Sequence, residues 1–409
     1  MKMMKWALLG SAALAVTATS AQADELGALK AQLETLQSRV SQLEAQPQAS
    51  LPSGYSLLSL RDGSGDYGLP QERAADRIGN RPGDGVTISV VPTADAAPMA
   101  EITVSAEIRT ILIYENRDFA NGGGDDDHLD VQSRTRLNIQ GKTDTAVGEV
   151  GARVRLQGNV PSEGNSVTLN RGYGWWKFAP AWTLHAGWDD TTAAVQAGFD
   201  WDAASGPLFT GGQSDKLNDQ LRLIWNNGGP ITLAIAVEDS DDNDRGDIPA
   251  IVGYIAFDNE TVFLQLVGVW QKDDSEINGG GEDDWAVGAG ARFALGDMFT
   301  ISAGGTAGEG YNGYANNVSV DPNNDTKFWT ASIGVIFNIS DNTRLELGYG
   351  HEDYSDEADV IAGGIYWDPV SQVTLGLNAG WRSVNADVPN NQPGDEDDFS
   401  VAFGTWLRF

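Results

Sequence analysis

Four arginines stand at alternate positions in two neighbouring stretches, Arg134 and Arg136 in SRTRLNIQ and Arg153 and Arg155 in GARVRLQ. Alternation at period two places each pair on one face of a strand. Guanidinium groups stay charged and repel one another at close range. A row of them is tolerable only where water, anions or nearby carboxylates compensate. The chemistry open to such a row is electrostatic: it can attract and orient anions, but it makes and breaks no bonds. Its setting is unexpected, because the chain carries a formal net charge of −32. Other chemistry is scarce. There is no cysteine, which excludes a disulfide framework, a thiolate nucleophile and thiolate zinc sites. The three histidines, His128, His185 and His351, leave little for metal or acid–base work. No catalytic residue, no cofactor and no metal are expected.

The elements that position the arginines begin after an exported N-terminus. Residues 1–23 have Lys2 and Lys5, an apolar core from Trp6 to Val16, and then Ala21-Gln22-Ala23, the pattern of a cleaved secretory signal. Residues 24–46 carry Leu26, Leu29, Leu33, Leu36, Val40 and Leu43 at a heptad-like spacing. That seam predicts a short α-helical coiled coil, three-stranded or two-stranded, with one amphipathic helix packed on its own domain as the alternative. Residues 47–100 are rich in Gly, Pro, Asp and Ser, with brief apolar runs at 56–60 and 86–91. They read as a linker without a regular element of useful length, either a tether or a segment tucked into the mouth of the following domain.

From Glu101 the chain becomes a succession of alternating segments separated by turn signals. Sixteen are expected, at 101–115, 130–141, 146–157, 170–178, 182–188, 219–226, 230–238, 248–257, 261–271, 284–294, 298–307, 327–338, 343–354, 358–367, 373–383 and 399–409. The connections alternate between short, as at 142–145, 179–181 and 339–342, and long, as at 116–129, 189–218, 272–283, 308–326 and 384–398. No run past Ala23 is long and apolar enough for a membrane helix, but a closed barrel crosses a membrane with strands, pairing every backbone N–H and C=O between neighbours. Short turns on one rim and long loops on the other fit such a barrel.

Face polarity sets its orientation. Val131, Leu137 and Ile139 share one parity, while Asp130, Gln132, Arg134, Arg136, Asn138 and Gln140 take the other; Val150, Ala152, Val154 and Leu156 likewise oppose Glu149, Arg153, Arg155 and Gln157. An apolar outside and a polar inside predict a water-filled lumen. The fold class is therefore all-β, a transmembrane antiparallel barrel of about sixteen strands over 101–409, preceded by a coiled coil. Trp176, Trp225, Trp270, Trp329 and Trp367 lie near strand ends, where interfacial girdles occur.

Three places resemble the trimeric sixteen-stranded porins of Gram-negative outer membranes. The final strand, FSVAFGTWLRF, puts Phe399, Val401, Phe403, Leu407 and Phe409 on one parity and ends on phenylalanine. It looks like the C-terminal signal read by barrel assembly machinery, and Phe403, Leu407 and Phe409 are its expected carriers. The stretch NRGYGWWKFAPAWTLHAGWDD, residues 170–190, is similar to a porin hairpin preceding the long third loop, although Trp188 follows Gly187 where porins usually show a second arginine. The long connection 189–218 corresponds to the loop that folds into the barrel and narrows it.

The resemblance implies a channel for passive diffusion of small hydrophilic solutes and ions, with no enzymatic activity and no nucleic acid among its partners. Its expected setting is a homotrimer in the outer membrane, among lipid and lipopolysaccharide, with the N-terminal helix in the periplasm. Two alternatives stand beside it. One is a channel selective for small organic anions such as dicarboxylates; the other is a structural barrel joining the outer membrane to the cell wall through 24–98.

Within the lumen, a hairpin turning at 142–145 would set Arg134 opposite Arg153, with Arg136 and Arg155 beside them. With Arg109, Arg171 and Lys177 these form an expected basic wall, faced by Asp200 and Asp202 on the long loop. The alternative is that they are ordinary lumen side chains paired with Glu107, Glu149 or Asp130. His185 shares the lumen parity of Thr183 and is expected to line the pore. The bulk of the negative charge falls in 122–130, 238–247, 272–284 and 395–398, all mapping to long connections. None completes an EF-hand spacing, so they read as solvated acidic loops.

Overall fold

The structure, a computed structural model, describes residues 56–63, 85–91, 99–119, 126–160, 166–195, 217–239, 248–259, 261–272, 283–309, 327–353, 356–386 and 396–409. The signal segment, the coiled coil, Asp200, Asp202 and most of the acidic clusters lie outside these residues.

Eighteen strands follow one another along the chain: β1 (Leu57–Asp62), β2 (Val86–Val91), β3 (Ala100–Phe119), β4 (Asp126–Thr145), β5 (Gly148–Val160), β6 (Ser166–Ala179), β7 (Trp182–Asp190), β8 (Leu217–Trp225), β9 (Ile231–Glu238), β10 (Ala250–Asp258), β11 (Val262–Gln271), β12 (Asp284–Leu295), β13 (Phe299–Glu309), β14 (Lys327–Ser340), β15 (Thr343–Asp353), β16 (Asp356–Val370), β17 (Val373–Ala386) and β18 (Glu396–Arg408). From β3 to β18 each strand pairs with the next, and β18 returns antiparallel to β3, from Glu396 opposite Phe119 to Arg408 opposite Glu107. This closes a sixteen-stranded antiparallel barrel. Every expected segment is found, most of them extended by a few residues into the connections.

Tight connections lie at 146–147, 180–181, 341–342 and 371–372, on one rim. Gly148, at φ 111°, ends the first of these; a Cβ there would stand 2.0 Å from the Lys177 carbonyl oxygen, so only glycine fits. Side-chain amides satisfy backbone donors at the wider ones: Asn226 Oδ1 accepts from the Gly228 N–H at 2.7 Å, and Asn259 Oδ1 from the Val262 N–H at 2.8 Å. The other rim carries the longer connections, apart from the brief 354–355 between β15 and β16.

The outward residues are those the alternation predicts. Leu112, Val131, Ile139, Val154, Ile235, Leu266, Val287, Ile333, Leu347, Ile361 and Leu377 are all exposed large apolar side chains. In water such a surface would be untenable as one contiguous patch, but against hydrocarbon it is the stable face. Trp176, Trp270, Trp329 and Trp367 are exposed on it as well.

The linker reading needs correction. Residues 86–91 form β2, in which Val86 to Val90 pair with Val104 to Ala100 of β3. The reason is geometric: β18 pairs with β3 only as far as Glu107, leaving the first residues of β3 with an open edge that a short alternating run can satisfy. On that strand pair Thr87 and Thr103 share a hydroxyl–hydroxyl hydrogen bond of 2.9 Å. Glu101 holds Arg61 at 2.6 Å and Lys142 at 3.2 Å.

Candidate functional site

The inward residues of β3 to β8 gather the basic side chains. Arg134, Arg136, Arg153, Arg155 and Arg171 are all buried on the inner face, and Arg109 shares their side of the sheet. The hairpin of β4 and β5 turns at 146–147 rather than at 142–145, so the expected opposition of Arg134 and Arg153 does not occur. Arg134 faces Asn159, Arg136 faces Gln157, Asn138 faces Arg155 and Gln140 faces Arg153. A two-residue turn closed by Gly148 permits four further residues of ladder on β4, Lys142 to Thr145, and this moves the register.

Guanidinium groups nevertheless meet across strands. Arg109 stands opposite Arg134, and Arg155 stands opposite Arg171, the last pair before the β5–β6 register shifts. Like charges directly opposite are destabilising, so each is answered locally. Glu107 Oε1 accepts from Arg134 Nη2 at 3.1 Å, while Asn138 Oδ1 accepts from Arg155 Nε at 2.7 Å and Arg153 Nη2 at 3.3 Å. Arg136 Nε donates to Gln157 Oε1 at 2.7 Å, and Arg153 Nη1 to the Tyr173 hydroxyl at 3.2 Å. Arg171 pairs with Asp190 and lies 3.5 Å from Asp189. Three of these partners, Asn138, Gln157 and Tyr173, are neutral, and three, Glu107, Asp189 and Asp190, are carboxylates. Of the carboxylates named beforehand, Glu107 takes an arginine, whereas Glu149 accepts from Trp175 Nε1 at 2.9 Å.

Two further arginines join the row. Arg222 on β8 is buried and donates to the Asp190 carbonyl at 2.7 Å. Arg408 on β18 donates to Thr374 Oγ1 at 2.8 Å and stands 3.9 Å from Glu107. Both lie on polar or small-residue parities, Asn218-Gln220-Arg222 and Ala402-Gly404-Trp406-Arg408, which was the available signal. Lys177 is exposed at the short-turn end of β6, opposite Glu149, and stands apart from the row. His185 is wholly buried on the inner face, its ring 4.6 Å from that of Tyr173 and Nε2 3.4 Å from Asp189.

The far wall differs from expectation. On β9 to β12 the inward set is largely apolar, with Ala234, Ala236, Ala250, Val252, Tyr254, Ala256, Phe263, Val267 and Val269 buried beside the polar Thr232, Glu238, Gln265, Gln271 and Asp284, while Ile235, Ile251, Ile255 and Leu266 face outward. A strand greasy on both faces is one covered on both. The inner cover is chain from the β7–β8 connection: Thr191 to Val195 are buried against this wall, Ala193 in one apolar cluster and Val195 in another. The long connection thus enters the barrel at its start. Phe403 and Leu407 on β18, and Phe409 just past its end, are exposed.

Comparison with known proteins decides the architecture. Residues 181–357 match the family model of Gram-negative porins. The outer membrane channel DcaP of Acinetobacter baumannii shares the fold with a TM-score of 0.64 at 17% identity, over 76% of this chain and 97% of that one. The fold is that of a porin. The anion-selective porin from Comamonas acidovorans follows at 0.59 and 17% identity, covering 76% of this chain and 100% of its own. OmpT of Vibrio cholerae, at 0.53 and 12%, covers 76% and 99%. No curated protein matches the sequence significantly. In this barrel the arginines of the row lie mainly on β3 to β8, and the largely apolar wall covered by Thr191 to Val195 lies on β9 to β12.

Proposed function

We propose that the chain forms a water-filled channel across a Gram-negative outer membrane, passing small hydrophilic solutes and ions by diffusion. The observation that carries this reading is the closed barrel with an apolar exterior and a row of arginines on its inner wall. Sixteen strands are enough to enclose an aqueous lumen. Charge on the lumen wall then biases what passes.

The row also supports a preference for anions. Arg134, Arg136, Arg153, Arg155 and Arg171 stand together on the inner face of β4 to β6, and a cluster of guanidinium groups on a lumen wall favours anions over cations. Small organic anions, dicarboxylates among them, fit such a field. A homotrimer among lipopolysaccharide, inserted through an outward C-terminal signal of Phe403, Leu407 and Phe409, is part of the same proposal, drawn from resemblance.

Purified protein in a planar bilayer tests the reading. Discrete conductance steps are expected, with a reversal potential of anionic sign under a salt gradient. A protein that inserts but never conducts would end the proposal; a cationic reversal potential would end its anion arm alone.

A further inference from the structure

The segment Thr191–Val195 has no strand partner, yet it lies inside the barrel with every residue buried. Three inner-wall residues account for its position. Glu238, at the end of β9 and wholly buried, accepts from Thr191 Oγ1 at 2.5 Å, from the Thr192 N–H at 2.7 Å and from Asn218 Nδ2 at 3.1 Å. Gln265 on β11 donates through Nε2 to the Ala194 carbonyl at 2.7 Å. Gly288 on β12 leaves the space that Val195 fills: a Cβ there would stand 2.5 Å from Val195 Cγ2 and 2.8 Å from Val267 Cγ2. A carboxylate buried on an apolar wall is costly unless its oxygens are satisfied, and here the segment supplies two of its three donors.

We infer that Glu238, Gln265 and Gly288 form a latch that holds Thr191–Val195 against the β9–β12 wall and keeps it off the channel axis. They are positioning residues: they act on permeation through the segment and touch no solute. The inference rests on the reading of the barrel as a channel. Once released, the segment can swing into the lumen, and the channel then flickers between open and partly closed levels.

The test is single-channel recording of the full chain beside Glu238→Ala, Glu238→Gln and Gly288→Ala. The native chain is expected to hold a quiet open level. Losing the buried acceptor in Glu238→Ala raises the frequency of partial closures about tenfold or more. Glu238→Gln keeps an acceptor for the Thr192 N–H and lies between the two. Gly288→Ala also flickers, and adding Val195→Ala removes the clash with the segment but leaves the one with Val267, so the Glu238 variants carry the test. Native channels that do not conduct would overturn the channel reading itself. Native channels that conduct, with all variants equally quiet, would overturn the latch alone. Should the variants fail to assemble, a Val195→Cys chain with Glu238 and Gly288 intact decides the matter. The sequence has no other cysteine, so a thiol-reactive probe reports that position only. Slow modification in the folded channel, about tenfold or more below that of the unfolded chain, is expected if the latch is shut; equal rates would refute it.

Discussion

Arginine and asparagine divide the work at Asn138. One amide oxygen accepts from both Arg153 and Arg155, fixing two guanidinium groups without cancelling either charge. A carboxylate at that position would hold them as firmly and remove part of the field. Replacing both arginines, in Arg153→Gln with Arg155→Gln, is expected to shift permeability toward cations by a fewfold. Unit charges about 4 Å apart in water interact by about 1 kcal/mol, which sets that scale. Reversal potentials before and after the change measure it. An unchanged value would return both residues to ordinary wall filling.

Strands carry two different codes in this protein. On β4 and β5 the faces differ sharply, polar within and apolar without. On β10 and β11 both faces are largely apolar, Gln265 and Gln271 being inward exceptions on β11, and chain from the β7–β8 connection covers the inner face. The two faces of β11 should therefore respond differently to charge. Leu266→Arg places a guanidinium against hydrocarbon in mid-strand and is expected to destabilise the folded barrel by about 2–4 kcal/mol. Denaturant titration of the barrel in lipid, followed by tryptophan fluorescence, gives the value. An effect below about 1 kcal/mol would mean that Leu266 does not face the hydrocarbon core. Register belongs to this scale too. The β4–β5 pairing was misjudged from sequence because alternation leaves a hairpin's turn free to slide, and Gly148 with its left-handed backbone is what stops it.

Across the whole barrel, closure and charge are linked. The seam between β18 and β3 is spanned on the inside by Glu107, which meets Arg134 at 3.1 Å and Arg408 at 3.9 Å. In the proposed channel, whatever part of the basic row's field reaches the lumen water is open to screening. Raising ionic strength from 0.1 M to 1 M shortens the Debye length from about 10 Å to about 3 Å. The proposed anion preference should therefore weaken over that range while conductance rises. Reversal potentials at a fixed gradient ratio and increasing absolute salt would show it. A preference insensitive to salt would point to close contact with the arginines rather than to their field.

Much of this was legible in the residues. All sixteen barrel strands could be read from alternation, because the membrane imposes one requirement on every outer face and backbone pairing imposes another on every strand. The inward parity of Arg134, Arg136, Arg153, Arg155 and His185 followed from the same period. What could not be read depended on partners distant in sequence. Residues 86–91 became a strand only because β18 leaves the start of β3 unpaired. The β9–β12 wall took apolar residues because Thr191 to Val195 lie on it, and Glu238 gained its role from donors on that segment and on β8. Local periodicity determined which face each residue takes. Tertiary structure decided what lies against that face, since a side chain's partner is set by the folded path of the chain and not by its spacing.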